Sequence, residues 1–130
     1  MSHRTTVRVR FYELDPYEHV NHSVYVQYFE AARAEWLTQI GYPLHRMKAD
    51  GTRIVVTELY ARYLGSAGEG DELTVDTELV EVRRVSMTFE QRISRGGEIL
   101  VTQRLSAATI SESGRPVRIP PDLIAALRDG

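Results

Sequence analysis

Five residues whose side chains can carry acid–base or acyl-transfer chemistry lie within eight positions of one another: Asp15, Glu18, His19, Asn21 and His22. A carboxylate can attack a carbonyl or deprotonate water when nearby backbone N–H groups hold the oxyanion that develops. Two histidines and two carboxylates also suggest a metal site, but three or four ligands in a suitable geometry are not evident, so we expect no metal. The cluster favours acyl-transfer chemistry with Asp15 as its carboxylate, although an Asp-Pro pair is also a common turn.

The residues after this cluster predict the helix that positions it. Apolar side chains recur at spacings of three or four between Ser23 and Ile40, and Gly41 is a normal residue just after a helix end. The apolar positions are Tyr25, Phe29, Ala32, Trp36 and Ile40. The N-terminus of such a helix carries unpaired N–H groups and a partial positive charge, which can polarise a carbonyl beside Asp15. Asn21 or Ser23 is the expected N-cap.

The remaining segments predict a sheet. Alternation of polar and apolar residues from Thr5 to Phe11 predicts a first strand, and four β-rich segments after Thr52 predict four long antiparallel strands. These segments are "RIVVTELYARYLGSA", "DELTVDTELVEVRRV", "SMTFEQRISR" and "EILVTQRLSAATIS". A loop is expected between Gly41 and Thr52, and "PPDLIAALRD" predicts a short C-terminal helix. We therefore expect an α+β fold in which a five-stranded antiparallel sheet wraps around one long central helix, with residues 1–130 forming a single domain.

Composition narrows the functional class. The 130 residues are 42% hydrophobic and 26% charged, and no segment is long and apolar enough for a membrane span. The absence of cysteine excludes disulfides, thiolate metal sites and a cysteine nucleophile, and we expect no cofactor. A net charge of −2 with scattered basic residues gives no general attraction to nucleic acid. The N-terminal residues lack an apolar signal region, so we expect a cytoplasmic protein that does not engage a membrane.

Besides Asp15 and His22, four residues are candidates for the site. Tyr25 lies near the helix start and can serve both the core and the site. Asn21 and Ser23, beside the helix N-terminus, are candidates for substrate binding. Glu58 takes a polar position in "VVTELYARY" and could supply a second carboxylate to the same cavity, whereas alternation alone favours an exposed position on the strand.

The order of the predicted elements, together with the sequence motifs, resembles that of the hot-dog fold thioesterases of the 4-hydroxybenzoyl-CoA thioesterase type. The resemblance covers nearly the whole chain and is most specific in "RFYELDPYEHVNHSVYVQYFEAAR". A "GD" turn at Gly70 and Asp71 before a strand, and the terminal "RIPPDLIAAL", support it. The resemblance implies that Asp15 is the catalytic carboxylate and that His22 corresponds to the His before the helix in the acyl-CoA thioesterase branch, where many relatives carry Asn. It also implies that the backbone N–H region at Tyr25 polarises the thioester carbonyl.

The leading hypothesis is hydrolysis of an acyl thioester of coenzyme A or an acyl carrier protein, with Asp15 as nucleophile or general base. The family resemblance further implies active sites between subunits, so we expect a homodimer or homotetramer. Two alternatives have the same fold: a non-catalytic acyl-thioester-binding protein, because fold alone does not establish chemistry, and a hydratase or dehydratase acting on acyl thioesters.

Overall fold

In the computed structural model, which describes residues 1–129, five strands form one antiparallel sheet in the order β1-β3-β4-β5-β2. The strands are β1 (Ser2–Arg8), β2 (Arg53–Tyr63), β3 (Glu72–Val82), β4 (Ser86–Arg95) and β5 (Glu98–Ile110). The helices are α1 (His22–Gln39), α2 (Leu44–Ala49) and α3 (Pro121–Asp129). The predicted sheet around one long helix is confirmed.

The long helix α1 buries its apolar side mainly against β3, β1 and β4. Its N-terminal half contributes Tyr25, Phe29 and Ala32 to one buried cluster, which includes Leu73 and Ile93 of the sheet. Its C-terminal half belongs to a second cluster, whose members include Trp36, Leu37, Met87, Phe89, Ile119 and Leu123. The helix therefore contributes to two apolar clusters, and its N-terminal half packs in the first.

The edge strand β2 lies beyond the part of the sheet that α1 mainly covers. It pairs only with β5, with Leu59 opposite Leu105 and Tyr63 opposite Val101. Leu105 and Val101 are buried on the helix side of the sheet, so Leu59 and Tyr63 face the same side, yet both are exposed. This edge of the sheet leaves apolar side chains without cover among residues 1–129.

The predicted bounds of β1 and the predicted loop after α1 are wrong, and both depend on tertiary contacts. Strand β1 begins at Ser2 instead of Thr5 because it pairs with β3 along its whole length, and Phe11–Glu13 form a 3-10 turn instead of the strand end. The expected loop between Gly41 and Thr52 contains α2, whose Met47 is buried against the second cluster. Burial of one side chain can stabilise a six-residue helix that sequence propensity alone does not. No helix within residues 1–129 has the length and apolarity needed to cross a membrane.

Candidate active site

A closed loop in front of α1 holds Asp15. Leu14 and Val20 pair as an isolated antiparallel bridge, and the Asp15 N–H donates to the His19 carbonyl at 2.7 Å. The Asp15 Oδ1 atom accepts from the N–H groups of Tyr17 at 2.8 Å and His19 at 3.2 Å. The other carboxylate oxygen, Oδ2, has no hydrogen-bond partner among residues 1–129. One oxygen of Asp15 therefore fixes the loop while the other is available for chemistry.

The remaining acidic and histidine residues of this loop are not gathered around an ion. Glu18 and His19 are exposed, and Glu18 has a φ of 65°, the left-handed region that side chains rarely adopt. Within residues 1–129 no group of three His, Cys, Asp or Glu side chains could hold a metal ion.

In the first turn of α1, the N-cap residue accepts hydrogen bonds from some of the backbone N–H groups but not from that of His22. Asn21 is the N-cap, as predicted: its Oδ1 accepts from the Ser23 N–H at 3.0 Å and the Ser23 hydroxyl at 2.8 Å. The Asn21 carbonyl accepts from the Val24 N–H at 2.9 Å. The His22 N–H has no acceptor among residues 1–129, and its side chain is exposed. The cap thus leaves the His22 N–H without an acceptor at the positive end of the helix.

Tyr25 lies one turn further along α1, and its side chain belongs to the core. The residue is 2% exposed, and its hydroxyl accepts from the Ala67 N–H at 2.9 Å. The Ala67 carbonyl accepts from the Val20 N–H at 2.9 Å, so one residue ties the helix to the Asp15 loop. Burial raises the pKa of the Tyr25 phenol, and the charge of Asp15 is among the smaller causes that raise it further.

Asp71 and Arg95 hold the segment that contains Ala67. The Asp71 Oδ2 atom accepts from the Gly68 N–H and from the Arg95 guanidinium, both at 2.9 Å. The same guanidinium nitrogen donates to the Ser66 carbonyl at 3.2 Å. The Gly68 N–H and the Arg95 side chain lower the pKa of the Asp71 carboxyl. The segment from Ser66 to Asp71, hereafter the clamp loop, is therefore fixed on both sides of Ala67.

Glu13 ties the 3-10 turn to the helix from the opposite side. Its Oε1 atom accepts from the Tyr28 hydroxyl at 2.7 Å and from the Arg10 N–H at 2.8 Å, and its carbonyl accepts from the Asn21 N–H at 2.9 Å. Burial and the hydrogen bond to Glu13 raise the pKa of Tyr28. Together with the contacts of the clamp loop, these hydrogen bonds fix the position of the start of α1.

Glu58 is not brought together with this cluster. It lies on β2 opposite Ser106, whose neighbours Leu105 and Ala107 are buried on the helix side, so Glu58 faces the outer side of the sheet in its own chain. Its contact with substrate stays a prediction, as do those of Asn21 and Ser23.

Tyr63 is the residue near the helix start that the sequence analysis missed. Its hydroxyl donates to the His22 carbonyl at 2.9 Å. Period-two alternation along β2 from Leu59 through Ala61 could have placed it on the helix side, but nothing in the sequence says which part of the helix it meets.

A five-stranded sheet wrapped around one long helix is the hot-dog architecture, and the chain is a thioester hydrolase of this fold class. The chain belongs to the thioesterase-like superfamily, whose family model matches residues 9–127.

Individual relatives agree with this membership. A putative esterase from Aquifex aeolicus (strain VF5) is 32% identical over 94% of both chains. A chloroplastic acyl-acyl carrier protein thioesterase from Arabidopsis thaliana is 28% identical over 91% of this chain and 64% of that protein. Among solved structures, a thioesterase from Thermus thermophilus complexed with coenzyme A and zinc has a TM-score of 0.84 at 30% identity, covering 97% of this chain and 91% of that chain.

Proposed function

We propose that the enzyme hydrolyses an acyl thioester with Asp15 as its catalytic carboxylate and the His22 N–H as the donor to the thioester oxygen. The observation that carries this proposal is that the Asp15 Oδ2 atom, in the loop that precedes α1, and the His22 N–H, at the start of α1, both lack hydrogen-bond partners among residues 1–129. The resemblance implies that the backbone N–H region at Tyr25 supplies this donor, and that stays a prediction; the missing acceptor of the His22 N–H supports His22 in this role.

The proposed reaction uses these two groups of the protein. Asp15 either adds to the thioester carbonyl carbon or takes a proton from the water that adds there, and the carbonyl oxygen gains the negative charge that the His22 N–H stabilises. The carbon–sulfur bond then breaks and the thiolate leaves with the electron pair. In the nucleophilic route, water subsequently cleaves the anhydride on Asp15, so both routes give one acid and one thiol. A thiolate is a good leaving group, which is why no Ser-His-Asp triad is required.

The substrate is proposed to be an acyl group on a pantetheine thiol. One relative is described as a thioesterase for acyl-acyl carrier protein, and one structural relative was solved with coenzyme A. Both carriers present the thioester on the same pantetheine arm, so the proposal covers acyl-CoA and acyl-carrier protein. A thiol-release screen over both substrate classes with a range of acyl groups distinguishes them.

The assembly is proposed to be a homo-oligomer that covers the β2 edge. Val56, Leu59 and Tyr63 are exposed there on the helix side of the sheet. An unpaired edge strand with exposed apolar side chains is a surface that another chain can cover. We further propose that residues 1–130 form one domain and that the enzyme acts in the cytoplasm.

Replacement of Asp15 by Asn tests the catalytic assignment. The Asn side-chain oxygen can still accept from the N–H groups of Tyr17 and His19, so the loop and the melting temperature should persist. An amide neither deprotonates water nor attacks a thioester effectively, so kcat should fall about 10²-fold or more while KM changes little. The matched control is Glu18→Gln in the same loop, which should keep the parent rate. Hydrolysis by Asp15→Asn within threefold of the parent rate would refute the assignment.

A further inference from the structure

We propose that Tyr63 is a positioning residue that fixes the first turn of α1 for polarisation of the thioester carbonyl. This inference rests on the proposed function of the His22 N–H. Tyr63 is the last residue of β2, and it reaches the helix start across the uncovered edge of the sheet.

The contacts of Tyr63 converge on the helix start. Its hydroxyl donates to the His22 carbonyl oxygen at 2.9 Å. Its ring meets the His22 ring edge-on, with centroids 6.3 Å apart and planes at 85°. The same ring packs against the Tyr25 ring at 5.9 Å. The Tyr63 side chain therefore makes three separate contacts with residues in the first four positions of the helix.

The hydroxyl bond acts on one peptide unit. The His22 carbonyl and the Ser23 N–H belong to the same planar peptide, and the Ser23 N–H donates to the Asn21 side chain at 3.0 Å. The cap holds one end of this peptide and Tyr63 holds the other, which together fix the ψ angle of His22. Helix ends fray when such partners are absent. Tyr63, 41 positions away in the chain, thus holds the peptide that follows the His22 N–H.

Tyr63 differs from an ordinary core aromatic residue. It is 45% exposed, so its packing contributes less burial than that of Tyr25, whereas its hydroxyl has a defined acceptor at the site. Removal of the oxygen alone should therefore change geometry more than stability. A displacement of about 1 Å in a catalytic group can lower a rate by as much as 10²-fold.

The strand supplies a matched control. Tyr60 lies three positions earlier on β2 and is also exposed, but it pairs with Arg104 on the outer side of the sheet and forms no side-chain hydrogen bond within residues 1–129. Tyr60→Phe removes the same hydroxyl group from the same strand without touching α1.

The experiment compares Tyr63→Phe and Tyr60→Phe with the parent by steady-state kinetics and by NMR hydrogen exchange of the Ser23 and Val24 amides. Benzoyl-CoA and hexanoyl-CoA serve as probes, at a temperature well below the melting transition of each variant. Tyr63→Phe should lower kcat about tenfold, leave KM within twofold and the pH profile unshifted, and speed exchange at both amides. Tyr60→Phe should change none of these.

Three results would overturn the inference: a Tyr63→Phe kcat within twofold of the parent, unchanged exchange at Ser23 and Val24, or equal losses in Tyr60→Phe. A parent enzyme that hydrolyses neither probe counts against the proposed function instead. In that case the exchange comparison still decides whether Tyr63 fixes the first turn, because it needs no substrate.

Discussion

His22 has two chemically different parts at the proposed site, and they can be separated. Its imidazole is exposed and forms no side-chain hydrogen bond within residues 1–129, whereas its N–H points from the first turn of α1 without an acceptor. In the proposed mechanism it is the N–H that stabilises the charge on the thioester oxygen. A backbone donor cannot be removed by ordinary side-chain substitution, but proline removes it.

His22→Pro should abolish most activity and leave the fold intact. Proline is favoured at the first helical position, and Asn21 has φ −58° and ψ 137°, a conformation suited to the residue before proline. Loss of one oxyanion donor should lower kcat about 10²- to 10³-fold. His22→Ala keeps the N–H and should cost far less, as should His22→Asn. Equal kcat losses in His22→Pro and His22→Ala, at unchanged melting temperature, would transfer the role to the imidazole.

Features of the candidate site were predictable where the signal was local. Asp15 and the cap at Asn21 follow from residue types and their distance from an apolar period, both visible in a short window. Tyr63 and Ala67 were not predictable, because each contacts the site through pairing of segments more than 40 positions away. The hydrogen bond from the Ala67 backbone N–H to the buried Tyr25 phenol does not depend on the residue type at position 67, so the sequence does not reveal it.

The clamp loop is the element that joins the sheet to the site. Asp71 receives hydrogen bonds from both Gly68 and Arg95, which lower its carboxyl pKa below the usual value of about 3.9. A carboxyl with a lowered pKa stabilises the folded state when ionised. Its contribution is complete above the usual pKa and is lost as the pH falls through the lowered pKa.

Asp71→Asn should therefore weaken the dependence of the melting temperature on pH in the acid range. The parent melting temperature should decline as the pH falls below about 4, and the variant should decline less over that range. At neutral pH the variant should melt a few degrees lower, as expected for a partly exposed charge pair. Glu69→Gln neutralises an exposed carboxylate in the same loop that has no hydrogen bond within residues 1–129, and it should follow the parent curve. Parallel curves for parent and Asp71→Asn would mean that Asp71 does not hold the loop.

Elements were predictable to the extent that one face of each is buried. The four long strands and α1 alternate or repeat with the period of their buried side, and their observed bounds lie close to the predicted ones except at the end of β2, which stops at Tyr63 and not at Ala67. The start of β1 and the existence of α2 depend on partners: Ser2 belongs to a strand because Glu78 lies beside it, and α2 persists because Met47 is buried.

At the scale of the molecule, the two edges of the sheet differ in chemistry. Strand β1 carries Arg4 and Arg8, which pair with Asp76 and Glu72 of β3. Charges along an edge discourage pairing with another chain, and β2 also carries them on its outer side, at Glu58 and Arg62. On its helix side, however, β2 exposes the apolar side chains of Val56, Leu59 and Tyr63. An oligomer built on β2 would also cover Tyr63, and with it the start of α1. Assembly and catalysis are then connected through one strand.

A charge placed on the β2 edge should dissociate the oligomer. Val56 is 49% exposed on β2, and Val80 is 38% exposed on β3, so Val56→Lys and Val80→Lys introduce the same charge at positions that differ in their place in the sheet. Light scattering at micromolar concentration should give at least twice the chain mass for the parent and Val80→Lys, and the mass of one chain for Val56→Lys. The ammonium group would have to be buried without a partner if the interface formed, which costs several kcal/mol. If the proposed link with Tyr63 holds, Val56→Lys should also lose turnover in proportion to its dissociated fraction. A parent that is monomeric and hydrolyses thioesters at full rate would exclude both the oligomer and that link.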